Sequence, residues 1–327
     1  MSDTSTQAVL AVAQAQQAAH TPHIPDTMPT AGEWMPADPA PSVWPSIREH
    51  IVDMVTHQPR SLQREIGPSE LGTPCLYHLG QRLIGRKPVG TDIKWLPFIG
   101  TSVHAQFETL FGRQDDYETE TRVQVGEIWP GRTVSGSIDL WDTKQRATID
   151  WKIVGDQTLE RARRYGPIQQ YMIQASLYGI GMNNRYHDSI VRKSCIYYLP
   201  RNSQSIDDGY IYETQFDPAP GQWALARATL MLALIHHIQT TYGNETRDSW
   251  LECLKRDDVD CFACKDHRKA WHPDDDALIN GFSYADWLTK HVEDAHKALP
   301  EEIRPLIDLP QADYQPTNTT INKGETK

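Results

Sequence analysis

Between Tyr117 and Val154 apolar and polar residues take turns in three short runs. Tyr117–Ile128 alternates in part, Thr133–Trp141 and Ala147–Val154 follow, and the polar turn Asp142-Thr143-Lys144-Gln145 separates the last two. A period of two predicts three strands. A helical pattern precedes them over Gly100–Phe111, with Pro97 setting its early limit, because proline lacks the N–H that a helix interior uses. Gln157–Met182 reads as helix, broken near its middle at Gly166-Pro167. Arg192–Leu199 and Tyr210–Phe216 read as strands, and Gln222–Thr241 as a strong helix with Leu230, Leu232, Leu234 and Ile235 in its apolar surface. The order α-β-β-β-α-β predicts a mixed α/β core around a small sheet.

The flanks are different. Residues 1–45 are rich in Ala, Gln, Thr and Pro, with four acids and no base. They bury too little apolar area to offset their ordering entropy, which predicts a disordered arm. A body over 46–300 and a C-terminal segment with a flexible tail over 301–327 complete the expected organisation. Three bases and five acids fall in 301–327, so the body carries −5 of the formal net charge of −11. That balance excludes a protein that coats nucleic acid by bulk charge, and leaves room for a local basic groove. No apolar run approaches the roughly 18 residues of a spanning helix, so no membrane partner is expected. No Lys or Arg precedes Arg48, so the basic start of a secretory signal is missing and a cytoplasmic location is expected. Five cysteines, an odd count, fit reduced thiols or a metal site better than a disulfide framework.

The chemistry concentrates in Gly136-Ser-Ile-Asp139 and Ile149-Asp150-Trp151-Lys152. On a strand, Asp150, Lys152 and Val154 share one face, and Ile149, Trp151 and Ile153 the other. On the preceding strand Val134, Ile138 and Leu140 oppose Ser135, Ser137 and Asp139. Paired as a hairpin, the two strands bring Asp139 and Asp150 onto one polar face beside Lys152. Two close carboxylates repel unless a cation separates them, and hard oxygens suit Mg²⁺ or Mn²⁺. A lysine beside such an ion fits phosphodiester hydrolysis. A hairpin with a solvated face and a cross-strand ion pair would read the same.

Three features add to this. His104 lies on the upstream helix in Gly100-Thr-Ser-Val-His104, and imidazole is a common metal ligand, although a lone helical His is more often structural. Gln174 and Tyr178 stand four apart on one helix face, able to hold a DNA backbone or to form a plain polar stripe. The order of these pieces along the chain is the third. Together they resemble the PD-(D/E)XK nucleases of the RecB type, and within them the CRISPR-associated iron–sulfur exonucleases and their phage-encoded relatives. The resemblance covers roughly residues 65–270 and rests on Gly100 to His104, Gly136 to Asp139, Asp150 to Lys152 and Gln174 to Tyr178. It implies a restriction-endonuclease-like core with a helical, cysteine-bearing extension. It implies that His104, Asp139, Asp150 and the Ile153 carbonyl bind Mg²⁺ or Mn²⁺. Lys152 would serve the water and the phosphate, and Gln174 and Tyr178 would support the site and contact DNA. Asp150 stands where many members have Glu.

The same resemblance implies a 4Fe–4S cluster on Cys75, Cys253, Cys261 and Cys264, although the spacing here places the close pair last. Zinc competes, since His267 and His272 follow Cys261-x2-Cys264, and unliganded thiols remain a third reading. Cys195, inside an apolar strand, reads as a small buried hydrophobe. Arg161, Arg163 and Arg164, with Arg192, Lys193, Arg60 and Arg64, offer local charge for phosphates, and Tyr165 and Tyr171 could stack on bases. The alternative for each is a solvated surface. The expected activity is a metal-dependent DNA exonuclease acting on single strands or ends in recombination or repair, with a recombination or helicase partner. The alternative is a DNA-end-binding adaptor that keeps the fold without the chemistry.

Overall fold

A computed structural model describes residues 42–56, 65–86, 95–257, 261 and 284–311. The expected arm over 1–45 falls almost wholly outside them, as do Arg60, Arg64, Cys264, His267, His272 and the end of the chain from 312. Backbone contacts divide the chain into two units, Met1–Val52 and Asp53–Lys327. Helix α1 (Trp44–Thr56) contains the division. All that follows concerns the second unit.

It is a mixed α/β fold on a five-stranded sheet in the order β1-β2-β3-β4-β5. The elements are α2 (Pro68–Leu71), α3 (Leu76–Leu83), α4 (Trp95–Phe111), β1 (Tyr117–Trp129), β2 (Arg132–Asp142), β3 (Ala147–Val154), α5 (Asp156–Tyr165), α6 (Gln169–Tyr186), β4 (Lys193–Pro200), β5 (Tyr210–Gln215), α7 (Ala219–Glu252) and α8 (Tyr284–Lys297). Among the described strands, only β3 and β4 pair in parallel. A parallel pair needs a long crossover, and α5 with α6 supplies it. Gly166, at φ 77°, makes the break between them that its sequence predicts, with its N–H closing on Ala162 O at 2.8 Å.

The central strand β3 is buried at every position from Ala147 to Trp151. On one face Leu140, Ile149, Trp151 and Cys195 pack under α4, whose Phe107 and Phe111 rings stand 5.2 and 5.9 Å from that of Trp151. On the other face Val154, Ile196 and Tyr198 meet Leu159, Ala162 and Ala175. The largest cluster joins Val123, Val134 and Ile138 to Ile173, Leu177, Met231 and Trp250. Burial pushes the Cys195 thiol up to about 12, in keeping with an inert apolar filler.

Three sequence expectations need correction. Helix α4 begins at Trp95, not Gly100. Pro97 falls in its first turn, where a missing N–H breaks no intrahelical bond. Leu230 is 39 % exposed, outside the apolar surface expected of it. Helix α7 continues past Thr241 through a break at Gly243 (φ 89°). In the C-terminal segment, Ile303 and Ile307 are buried in the largest cluster.

Glu70 anchors the segment leading to Cys75. Its carboxylate accepts from Arg82 Nε at 2.8 Å and Nη2 at 3.1 Å, and lies 3.7 Å from His78 Nε2. Burial alone would raise its pKa, but the nearby His78 imidazole and the bonds from Arg82 outweigh it and hold the carboxyl near 2 against an ordinary 4.5. The folded value is depressed, so this stability is present above pH 4.5 and is lost as pH falls toward 2. That shift corresponds to on the order of 3 kcal/mol. Urea melts over this window are expected to lose about that much less in Glu70→Gln than in the wild type. Equal slopes would show the contact to be worthless.

Candidate metal and phosphodiester site

The ladder between β2 and β3 runs only through Asp142↔Ala147, Trp141↔Thr148 and Leu140↔Ile149. Beyond it, Asp139 takes over one strand's role: its Oδ2 accepts the Trp151 N–H at 2.8 Å. Its Oδ1 lies 3.2 Å from Nδ1 of His104, which α4 brings down from one face of the sheet. From the other face comes α6. Gln174 Nε2 donates to Asp150 Oδ1 at 3.0 Å and to the Tyr178 hydroxyl at 3.1 Å. Lys152 Nζ sits 2.7 Å from Asp150 Oδ2 and donates to Gln174 Oε1 at 3.0 Å. Gly136 permits this closeness, since a Cβ there would stand 2.9 Å from the Pro68 ring and 3.3 Å from Tyr178 Cε1.

The expected single polar face is therefore divided. Asp150 and Lys152 are bound to the α6 side, and Asp139 to the α4 side. The regular alternation expected along β2 also fails here: Ile138 joins the largest cluster while Leu140 packs with Ile149 and Trp151. Opposite Asp139, between the pairs Thr119↔Leu140 and Thr121↔Ile138, stands Glu120 with φ 45°. A left-handed residue inside a strand turns its side chain out of the normal alternation, at a cost of roughly 1–3 kcal/mol. One ligand atom each from His104, Glu120 and Asp139 lies within 4.8 Å of the other two.

Sequence reasoning missed Glu120 because register decides it. Counted back from the Trp129↔Arg132 pair without irregularity, Asp139 would face Arg122. Register shifts at Gln124/Gly126 and Glu127/Trp129 bring Glu120 there instead. The donor set of one imidazole and two carboxylates fits Mn²⁺ well and accepts Mg²⁺.

Electrostatics separate the two halves. Burial pushes the Asp150 carboxyl up to about 6; Lys152 pulls it down and Asp139 pushes it up again. Burial also works against the Lys152 charge, but the Asp150 carboxylate overrides it and holds the ammonium above its usual value. Lys152 is thus firmly cationic at neutral pH.

The other predicted residues fall as follows. Gln174 and Tyr178 are buried, with their bonds inside the site. Tyr171 carries Lys152 Nζ 4.4 Å above its ring. Ile153 packs its side chain toward the Trp151 cluster. On α5, Arg163 is held by Glu160 at 2.5 Å and by the Asp208 carbonyl, whereas exposed Arg164 lies along the Tyr165 ring. Arg161 and Arg192 are exposed, and Lys193 reaches Glu213 at 3.5 Å.

Cys75 caps α3, its Sγ accepting the His78 N–H at 3.4 Å. Cys253 follows α7, and the Tyr77 N–H bonds to the Lys255 carbonyl at 3.2 Å, tying the two stretches together. Cys75, Cys253 and Cys261 belong to or pack against one core cluster. Cys264 lies outside the described residues. Among the described residues no helix is long and apolar enough to cross a membrane.

No protein-family model and no curated protein matches the chain. Among solved structures, the crystal structure of SSO0001 is similar at 16% identity and a TM-score of 0.37, over 57% of this chain and 86% of that one.

Proposed function

We propose that this protein is a metal-dependent nuclease that hydrolyses DNA phosphodiesters at ends or in single strands, on a restriction-endonuclease-like core. One observation carries the reading: an ion pair of buried Asp150 with half-buried Lys152, locked by Gln174, stands beside a His104–Glu120–Asp139 donor set where β2 and β3 part. An ammonium has three N–H donors, and Asp150 and Gln174 take two. The third serves an oxygen of a bound phosphodiester. Lys152 places its charge where the phosphoryl oxygens gain negative charge, and Asp150 and Gln174 keep it there. His104, Glu120 and Asp139 would hold the cation, whose contribution is Lewis acidity toward water and phosphate.

The cysteines enter as a structural proposal. Cys75, Cys253, Cys261 and Cys264 would hold a 4Fe–4S cluster pinning α3 to the end of α7, a seam already closed by Tyr77 and Lys255. The basic surface of α5 would follow the DNA backbone, with a recombination or helicase partner as the biological setting.

The test is cleavage of end-labelled single- and double-stranded DNA with Mn²⁺, Mg²⁺ or EDTA. Shortening that needs the metal and falls about a hundredfold or more in Asp150→Ala is expected. DNA binding without cleavage under either metal would replace this reading with the end-binding adaptor.

A further inference from the structure

Tyr171, Gln174 and Tyr178 are spaced by three and four along α6, which places them in one stripe over β3. Gln174 and Tyr178 are bonded within the site. The Tyr171 ring lies under the Lys152 ammonium, with Nζ 4.4 Å from its centroid. The ring is itself backed by Tyr198, which is 1% exposed and stands 6.1 Å away at 52°. Its backbone is fixed in the first turn of α6, where its N–H bonds to Ile168 O at 3.0 Å.

A lysine side chain is long and has many rotamers, so a charge at its tip is placed only as well as it is held. Asp150 and Gln174 hold Nζ by two N–H bonds. Two contacts leave the ammonium free to swing about the line joining them. The third contact must attract a cation without taking the N–H that a phosphate needs. The face of an aromatic ring does this, because its quadrupole draws positive charge from within about 6 Å. A base stacked on Tyr171 would have to displace Lys152 from that face.

We infer that Tyr171 is a positioning residue, whose ring fixes the Lys152 ammonium in the attitude that phosphodiester hydrolysis uses, rather than a contact for nucleic-acid bases. This rests on the nuclease reading, and deepens it. The expected effects follow from the ring's electrostatics. Tyr171→Phe keeps the ring and should retain kcat within about threefold. Tyr171→Leu keeps bulk but not the quadrupole, and should lose kcat by about tenfold with KM little changed.

The experiment measures single-turnover cleavage of a labelled single strand by wild type, Tyr171→Phe and Tyr171→Leu. It adds a series with mono-, di- and trifluorophenylalanine at 171, where each fluorine weakens the ring face at nearly constant shape. A stepwise fall in kcat across the series is expected, which a merely structural ring would not show. The ring current supplies a readout that needs no activity: the Lys152 ε-methylene protons should be shifted upfield in wild type and Tyr171→Phe, and not in Tyr171→Leu. Unchanged kcat in Tyr171→Leu, or a rise confined to KM, would overturn the inference and leave the nuclease reading standing. No cleavage by wild type with the upfield shift present would sink the nuclease reading, while Tyr171 would still hold Lys152.

Discussion

Lys152→Ala is expected to lower the rate of DNA cleavage by about a thousandfold, more than a typical single hydrogen-bond donor contributes to a transition state. The argument begins with burial. Asp150 is 4% exposed, and its charge is matched by the Lys152 ammonium 2.7 Å away. Removing the ammonium strands that carboxylate, a loss of about 3–5 kcal/mol if it stays ionised. It has an easier course, since burial already pushes its pKa up to about 6 and the loss of Lys152 removes the cation that lowers it. The variant should therefore fold with Asp150 protonated. It loses both the cation and the carboxylate in one substitution. The double variant Asp150→Asn with Lys152→Met separates activity from stability. It replaces a buried ion pair by neutral groups of similar size, which is often neutral or stabilising. A midpoint in urea at or above that of the wild type, with cleavage abolished, is the expected outcome. Lys152→Ala within tenfold of wild-type activity would remove Lys152 from the chemistry.

Much of the architecture is legible in the chain because local signals and tertiary demands agree there. Ala147–Val154 is found at its expected bounds because its alternation of apolar and polar residues, with a polar turn before it, suits a strand. Gly166 breaks the crossover where its sequence says, because a left-handed residue followed by proline permits little else. Of the side chains that gather here, the sequence brings out all but Glu120, and it does not show how they divide. Two-fold alternation placed Asp139 and Asp150 on one face, and that rule holds only while the ladder holds. Where β2 leaves β3, Asp139 turns to His104 and to the Trp151 N–H, and Asp150 remains with α6. Glu120 was hidden for a longer-range reason: two register shifts between it and the turn, and a left-handed backbone that no local residue demands. Arginines beside Tyr171 in sequence suggest a contact with bases, while its helical spacing from Gln174 predicts its place over β3, beside Lys152.

Glu120→Gln and Asp139→Asn are each expected to weaken Mn²⁺ binding by about a hundredfold or more, while Asp150→Asn weakens it by less than about tenfold. The resemblance to RecB-type nucleases would instead pair Asp150 with Asp139 as ligands and give Glu120 no part. The geometry favours the first pattern. Both Asp150 oxygens are already engaged, one by Lys152 at 2.7 Å and one by Gln174 at 3.0 Å. A cation drawing on Asp150 would have to compete with a buried ammonium beside it, and two positive charges at that range repel strongly in a poorly screened site. His104, Glu120 and Asp139 already present one nitrogen and two oxygens within 4.8 Å of one another. Removing one carboxylate charge from that set takes away a ligand and about half its negative charge at once. Calorimetric titration of Mn²⁺ into the three variants, with unfolding midpoints as a check, reads the difference directly, and His104→Ala should fall with the first two. A loss in Asp150→Asn as large as in Asp139→Asn, with Glu120→Gln unaffected, would place the ion between the two aspartates. Glu120 would then owe its left-handed backbone to the strand alone.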